Sequence, residues 1–176
     1  DARVEPFEAA CVDVLTDASS RRQVGFMVGN RDFLVGSATL RDAGAIGLQD
    51  PTLLVAFGQR VLLTHGDLLC LADVEYERFR EQARVVARQM RDASQQRQQG
   101  ATVTATDIDP GAAVAWMHAA GCGHMVHGHT HRPGDEVLCA GHVRHVLTDW
   151  DLDATPPRAE LLRLTRDGFS RHPLTG

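Results

Sequence analysis

The sequence contains no apolar run approaching the ~20 residues that a membrane-spanning helix needs, which excludes a helical membrane span as a reading. It has no CxxC pair. Its four cysteines, Cys11, Cys70, Cys122 and Cys139, lie far apart. That spacing argues against a thiolate zinc site and a disulfide scaffold, and it fits a reducing cytosol. There is no excess of positive charge either. A net charge of −5 leaves no global basic field to attract nucleic acid. No internal repeat and no secretory signal stand out. Asp1 opens straight into a helical pattern without a methionine, so the chain is expected to begin inside a longer gene product.

What is present is a globular balance. With 43% hydrophobic and 23% charged residues, the 176-residue chain can bury one sizeable core, and we expect a single domain over 1–176. Helix and strand patterns alternate along it. Phe7, Cys11, Val14 and Leu15 stand at helical spacing. Val24, Phe26 and Val28 alternate as a strand does. Leu53 to Phe57 and Val61 to Thr64 read as two strands around Gly58-Gln59-Arg60. Residues 74–99 are rich in Glu, Gln, Arg and Ala and read as helix, ending at Gly100. Asp109 is a helix cap with Pro110 in the first position, carrying Val114 and Met117 inward. Met125-Val126 is a short strand. Val137–Ala140, Val143–Thr148 and Leu161–Thr165 read as an antiparallel group, with Asp167-Gly168 as its last turn.

The most informative stretch is His127-Gly128-His129-Thr130-His131. Imidazole is the commonest side-chain metal ligand, and alternate residues of an extended chain share a face. Two further polar clusters, Gly29-Asn30-Arg31-Asp32 and His65-Gly66-Asp67, also follow a strand directly. Loops at strand ends are where α/β folds place their chemistry. Read singly, each cluster has a plainer explanation: Asn30 after a glycine suits a turn, and so does His65-Gly66-Asp67. His118, His124, His142, His145 and His172 stand isolated and are not expected to be ligands. His127, His129 and His131 could line one side together unless Gly128 bends the path.

The order GNRD, HGD and GHTH resembles the metal-binding blocks of calcineurin-like metallophosphoesterases. Gly29 to Gly36 (GNRDFLVG), Leu63 to Cys70 (LTHGDLLC), Tyr76 with Phe79-Arg80, and His127 to Pro133 (HGHTHRP) resemble, more narrowly, the UDP-2,3-diacylglucosamine pyrophosphatases of lipid A synthesis. The resemblance implies an α/β fold of two sheets in a β-sandwich flanked by helices, with a helical lid insert at 74–106. It implies two divalent ions, most often Mn2+, which can activate a water and clamp attacking and leaving oxygens. Asn30, His65 and His129 would bind the second ion and His131 the first. Arg31 would hold a phosphoryl oxygen. Asp73 and Ser94 would contact the sugar and lid parts of the substrate. His127 would sit beside the ligands rather than among them. From the residues alone, Asp67 either orients His65 or only caps a turn, and the first is expected.

Two departures qualify that expectation. A lysine of the family pattern falls on Ala101, and the insert after Tyr76 is short. The Asp-x-His and Gly-Asp blocks that open the family pattern do not precede Gly29, so the chain as it stands is expected to be impaired. Three functions follow: hydrolysis of UDP-2,3-diacylglucosamine to UMP and 2,3-diacylglucosamine 1-phosphate; another phosphoesterase activity on a nucleotide, monoester or diester; or metal binding without turnover. The arginines from Arg78 to Arg97 suit a solvated helix face or the anionic inner leaflet of the cytoplasmic membrane, where the protein is expected to sit peripherally. Neither nucleic acid nor an obligate protein partner is expected.

Overall fold

The computed structural model describes residues 6–30, 32, 35–70 and 107–174, with the side chains of residues 7 and 8 set aside. Arg31, Asp73, Tyr76, Ser94, Ala101 and the expected lid at 74–106 lie outside the described residues. The chain divides into two compact units, Asp1–Thr52 and Leu53–Gly176.

In the first unit, α1 (Pro6–Arg21) ends with Arg21 in its last turn, where a cation complements the helix dipole. Arg21 pairs with Asp17 one turn back. The half-buried face is Val12, Leu15, Ala18 and Ser19, whereas Val14 is exposed. Strand β1 (Gly25–Met27), helix α2 (Ser37–Asp42) and strand β2 (Ile46–Leu48) form one βαβ unit, in which the strands run parallel. A crossover element between parallel strands is what their geometry requires. Leu40 of α2 and the following Ala43 and Ala45 are buried.

The second unit is built on a five-stranded sheet of order β3-β4-β5-β7-β6. Strands β3 (Thr52–Ala56) and β4 (Gln59–Thr64) are joined by Phe57-Gly58. Both turn residues have positive φ, 52° and 78°, the type I′ geometry that matches strand twist. The reversal thus falls one residue earlier than composition suggested, and Gln59 and Arg60 belong to the strand. Strand β5 (His124–His127) lies parallel to both β4 and β7 (His142–Val146), and β6 (Gly134–Cys139) closes the edge antiparallel to β7.

The expected antiparallel group is therefore divided. β7 belongs to the main sheet, while β8 (Glu160–Thr165) pairs with β9 (Gly168–Pro173) in a separate ladder. Alternation had no means of telling which strand would be the neighbour.

Helix α3 (Pro110–Ala120) carries the expected start: Asp109 accepts from Ala112 N at 2.7 Å, with Pro110 in the first turn. Gly121 ends it at φ 59°, and Cys122 N donates back to Met117 O. Its inward residues are Ala113 and Met117, both fully buried, rather than Val114. They meet Leu62, Leu69, Cys70, Ile108, Cys122 and Met125 in one core. Burial of side chains of this size contributes ~1.5–3 kcal/mol each. No helix among the described residues is long and apolar enough to cross a membrane.

Candidate metal centre

Two of the three expected loops leave adjacent parallel strands at the same end. Thr64 of β4 is in register with His127 of β5, so His65 and Gly128 follow side by side. Gly128 N donates to His65 O at 3.1 Å, extending the ladder past both strand ends. Gly66 then turns the chain at φ 107°. A Cβ there would stand 3.2 Å from His127 Nδ1, so both conformation and space select glycine. Asp67–Leu69 forms a single 3-10 turn that sends Leu69 into the core.

On the second loop, His129 and His131 both adopt left-handed backbone, φ 66° and 54°. Such conformations cost of order 1–3 kcal/mol each for residues other than glycine, and they persist only where surroundings over-determine them. The alternation that placed three histidines on one side is broken here. His127 stays in the sheet, wholly buried, and its Nδ1–H donates to Gly128 O at 2.9 Å. Thr130 N donates to Gly128 O at 2.8 Å, closing a tight turn centred on His129, and the His129 and His65 rings meet edge to face with centroids 5.0 Å apart.

Electrostatics favour ligation. Burial pushes the His129 imidazole below its usual range, and His65 adds to that effect while Asp67 opposes it. A neutral ring keeps the lone pair that a cation needs. Burial lowers His127 likewise. Buried His127 Nε2 and Thr130 Oγ1 have no hydrogen-bond partner among the described residues, and both belong to this segment. Unpaired buried polar atoms are uncommon in folded proteins and mark places under other constraints.

A pair of imidazoles fits a borderline divalent cation such as Mn2+ or Zn2+. It is one wall of a site rather than a closed shell: among the described residues no group of three or more His, Cys, Asp or Glu converges to hold a metal. Asn30 lies three residues beyond the end of β1 in the first unit, exposed, in a turn where Asp32 accepts from Gly29 N at 3.3 Å and returns its own N–H to Gly29 O. That turn is the local reason the chain bends at Asn30. His131 is exposed.

The other histidines are less isolated than their spacing implied. His124 Nδ1 lies 3.1 Å from His145 Nε2, and His145 Nδ1–H donates to Asp135 at 2.9 Å. Phe169 stacks on His145 at 4.1 Å. His118 and His142 stack at 6.5 Å, and His142 Nδ1 lies 3.4 Å from Cys139 Sγ.

Sequence reasoning also missed Arg144. Its guanidinium is buried on the α3 side of the sheet, bonded to Asp107 at 2.9 and 3.0 Å and to Glu136 at 2.5 Å. The contact holds the Asp107 carboxyl below the usual range. Only the register, which sets Arg144 beside Met125, could have revealed it.

Comparisons with known proteins converge on one group. No family model matches the chain. A UDP-2,3-diacylglucosamine hydrolase of Marinobacter nauticus is 41% identical over 145 residues, covering 71% of this chain and 59% of that protein. Proteins of the same description from Bordetella pertussis and Xanthomonas axonopodis pv. citri are each 37% identical, covering 93% of this chain and 72% and 75% of their own lengths. A solved Vps29 single mutant from Entamoeba histolytica aligns over 99% of this chain and 91% of its own, but with a TM-score of 0.39 and 10% identity it carries no argument. The chain thus spans between about three fifths and three quarters of these curated relatives, and it belongs to the UDP-2,3-diacylglucosamine hydrolase family.

Proposed function

We propose that the protein hydrolyses the pyrophosphate bond of UDP-2,3-diacylglucosamine. Water adds to one phosphorus, the bridging P–O bond breaks, and the products are UMP and 2,3-diacylglucosamine 1-phosphate. The observation that carries this reading is the His65–His129 pair, built by neighbouring parallel strands and embedded in the motifs of a hydrolase family.

The family reading implies divalent metal ions, and we take them to be two, with Mn2+ as the physiological choice. When bound, such ions supply Lewis acidity and lower the pKa of water. His65 and His129 present imidazole nitrogen donors, Asn30 an amide oxygen, and His131 a nitrogen donor for the other ion. Arg31 binds a phosphoryl oxygen and neutralises charge that grows during transfer. Asp73 meets the glucosamine and Ser94 the lid side of the substrate. The protein works at the inner face of the cytoplasmic membrane, attached peripherally through its arginine-rich segment and without an obligate protein partner.

A release assay tests the proposal. The full-length protein with Mn2+ is expected to free UMP from UDP-2,3-diacylglucosamine. Cleavage of simple phosphoesters without UMP release would instead assign it to another phosphoesterase chemistry. Vesicle sedimentation of variants with Arg78, Arg84 and Arg91 changed to Gln tests attachment, and unchanged sedimentation would contradict it.

A further inference from the structure

The loop that carries His129 and His131 begins at Gly128 and ends where β6 starts, at Gly134. Its beginning is fixed by the sheet, because Gly128 N donates to His65 O and Leu147 N to His127 O at 2.7 Å. Its end is fixed by a side chain from elsewhere. Arg171 of β9 donates through Nη2 to Gly134 O at 2.8 Å and to Val146 O at 3.0 Å. The same guanidinium holds Asp135 through Nε at 3.1 Å and Nη2 at 2.6 Å, and Glu160 of β8 through Nη1 at 2.6 Å. Its side chain is only 19% exposed.

Gly134 lies three residues after His131, so this bracket sits just past the second strained histidine. A left-handed backbone at His129 and His131 has to be held from both sides, or the chain relaxes toward an ordinary conformation. The sheet does this on one side. On the other, one planar group spans two backbone carbonyls and two carboxylates, and a compact ammonium cannot reproduce that fork.

We propose that Arg171 is a positioning residue for the metal-binding loop, fixing its exit so that His129 and His131 are presented already shaped for a divalent cation. The role rests on the reading that these histidines hold metal. It touches neither cation nor substrate; Arg171 acts through Gly134 and Asp135.

The test is calorimetric titration of the full chain with Mn2+ alone, without substrate. The unsubstituted chain binds, and Arg171→Lys weakens binding by about tenfold, the lower end of what outer partners of metal ligands contribute. Excess Mn2+ restores much of the lost turnover while KM at saturating metal stays near normal. Phe169→Leu is the comparison: it loosens the packing of the β8–β9 ladder on His145 without touching Gly134. It is expected to lower thermal stability yet keep the original Mn2+ affinity. Arg171→Gln replaces the lysine variant if that does not fold, with the same expected weakening. Unchanged affinity in a folded Arg171 variant, or an equal loss in Phe169→Leu, overturns the proposal. A chain that binds no Mn2+ at all overturns the metal reading beneath it, which is a distinguishable result.

Discussion

Two sets of histidines occupy opposite faces of the central sheet. His124 and His145 point toward the β8–β9 side, His127 toward α3, and His129 leaves the sheet beyond it. The first set is satisfied by the protein itself: ring to ring, ring to Asp135, and stacked under Phe169. The second set has a buried Nε2 on His127 with no hydrogen-bond partner among the described residues, two non-glycine residues at positive φ, and an imidazole pair at 5.0 Å. Burial alone does not separate these groups, since His127 and His145 are both buried. What separates them is that the second set is held in strained backbone and contains His127 Nε2, which has no hydrogen-bond partner among the described residues. Strain with unfinished polar atoms is the structural sign of a site.

The largest effect should come from the second set. His129→Ala removes one wall of the imidazole pair and is expected to abolish turnover; near-normal activity at saturating Mn2+ would break the comparison. Next is Gly66→Ala, which forces a side chain into φ 107° and against His127. It should lower stability by ~1–3 kcal/mol and weaken Mn2+ binding with it. Denaturant melts and calorimetry read both.

The first set should fail in a different way. His145→Leu removes the acceptor for His124 and one donor to Asp135, costing ~1–3 kcal/mol by denaturation while leaving Mn2+ affinity unchanged. A loss of metal binding here would merge the two sets.

The smallest effect is with pH. Burial, helped by the neighbouring His145, lowers the His124 pKa from its ordinary value. A depressed imidazole contributes stability that is complete above the unfolded value of ~6.5 and is lost as pH falls from there toward the folded pKa. His124→Asn should flatten the stability curve through that window. An unaltered curve would show that the pair does not titrate with unfolding.

Much of this was readable from residue order, and the limits have physical causes. Asp109-Pro110 announces the start of α3 because caps are local devices, and the loop motifs follow strands because turn chemistry is local too. Pairing is not local. β7 beside β5 and the Asp107–Arg144 bridge depend on register between segments that are not neighbours in the chain, whereas β8 and β9 are joined by a two-residue turn. The histidine alternation failed at His129, since nothing in the composition of that segment signals left-handed backbone at His129 and His131. Arg171 was silent for the same reason: an arginine on an edge ladder looks solvated until the carbonyls it reaches are known.

The central claim is that His65 and His129 jointly face a divalent cation, whereas His124 and His145 do not. Titrating the chain with substoichiometric Mn2+ while following histidine ring resonances by NMR tests it most directly. The ring signals of His65 and His129 should broaden first and together, with those of His124 and His145 persisting. Uniform broadening, or loss of the His124 and His145 signals ahead of the others, would contradict the account.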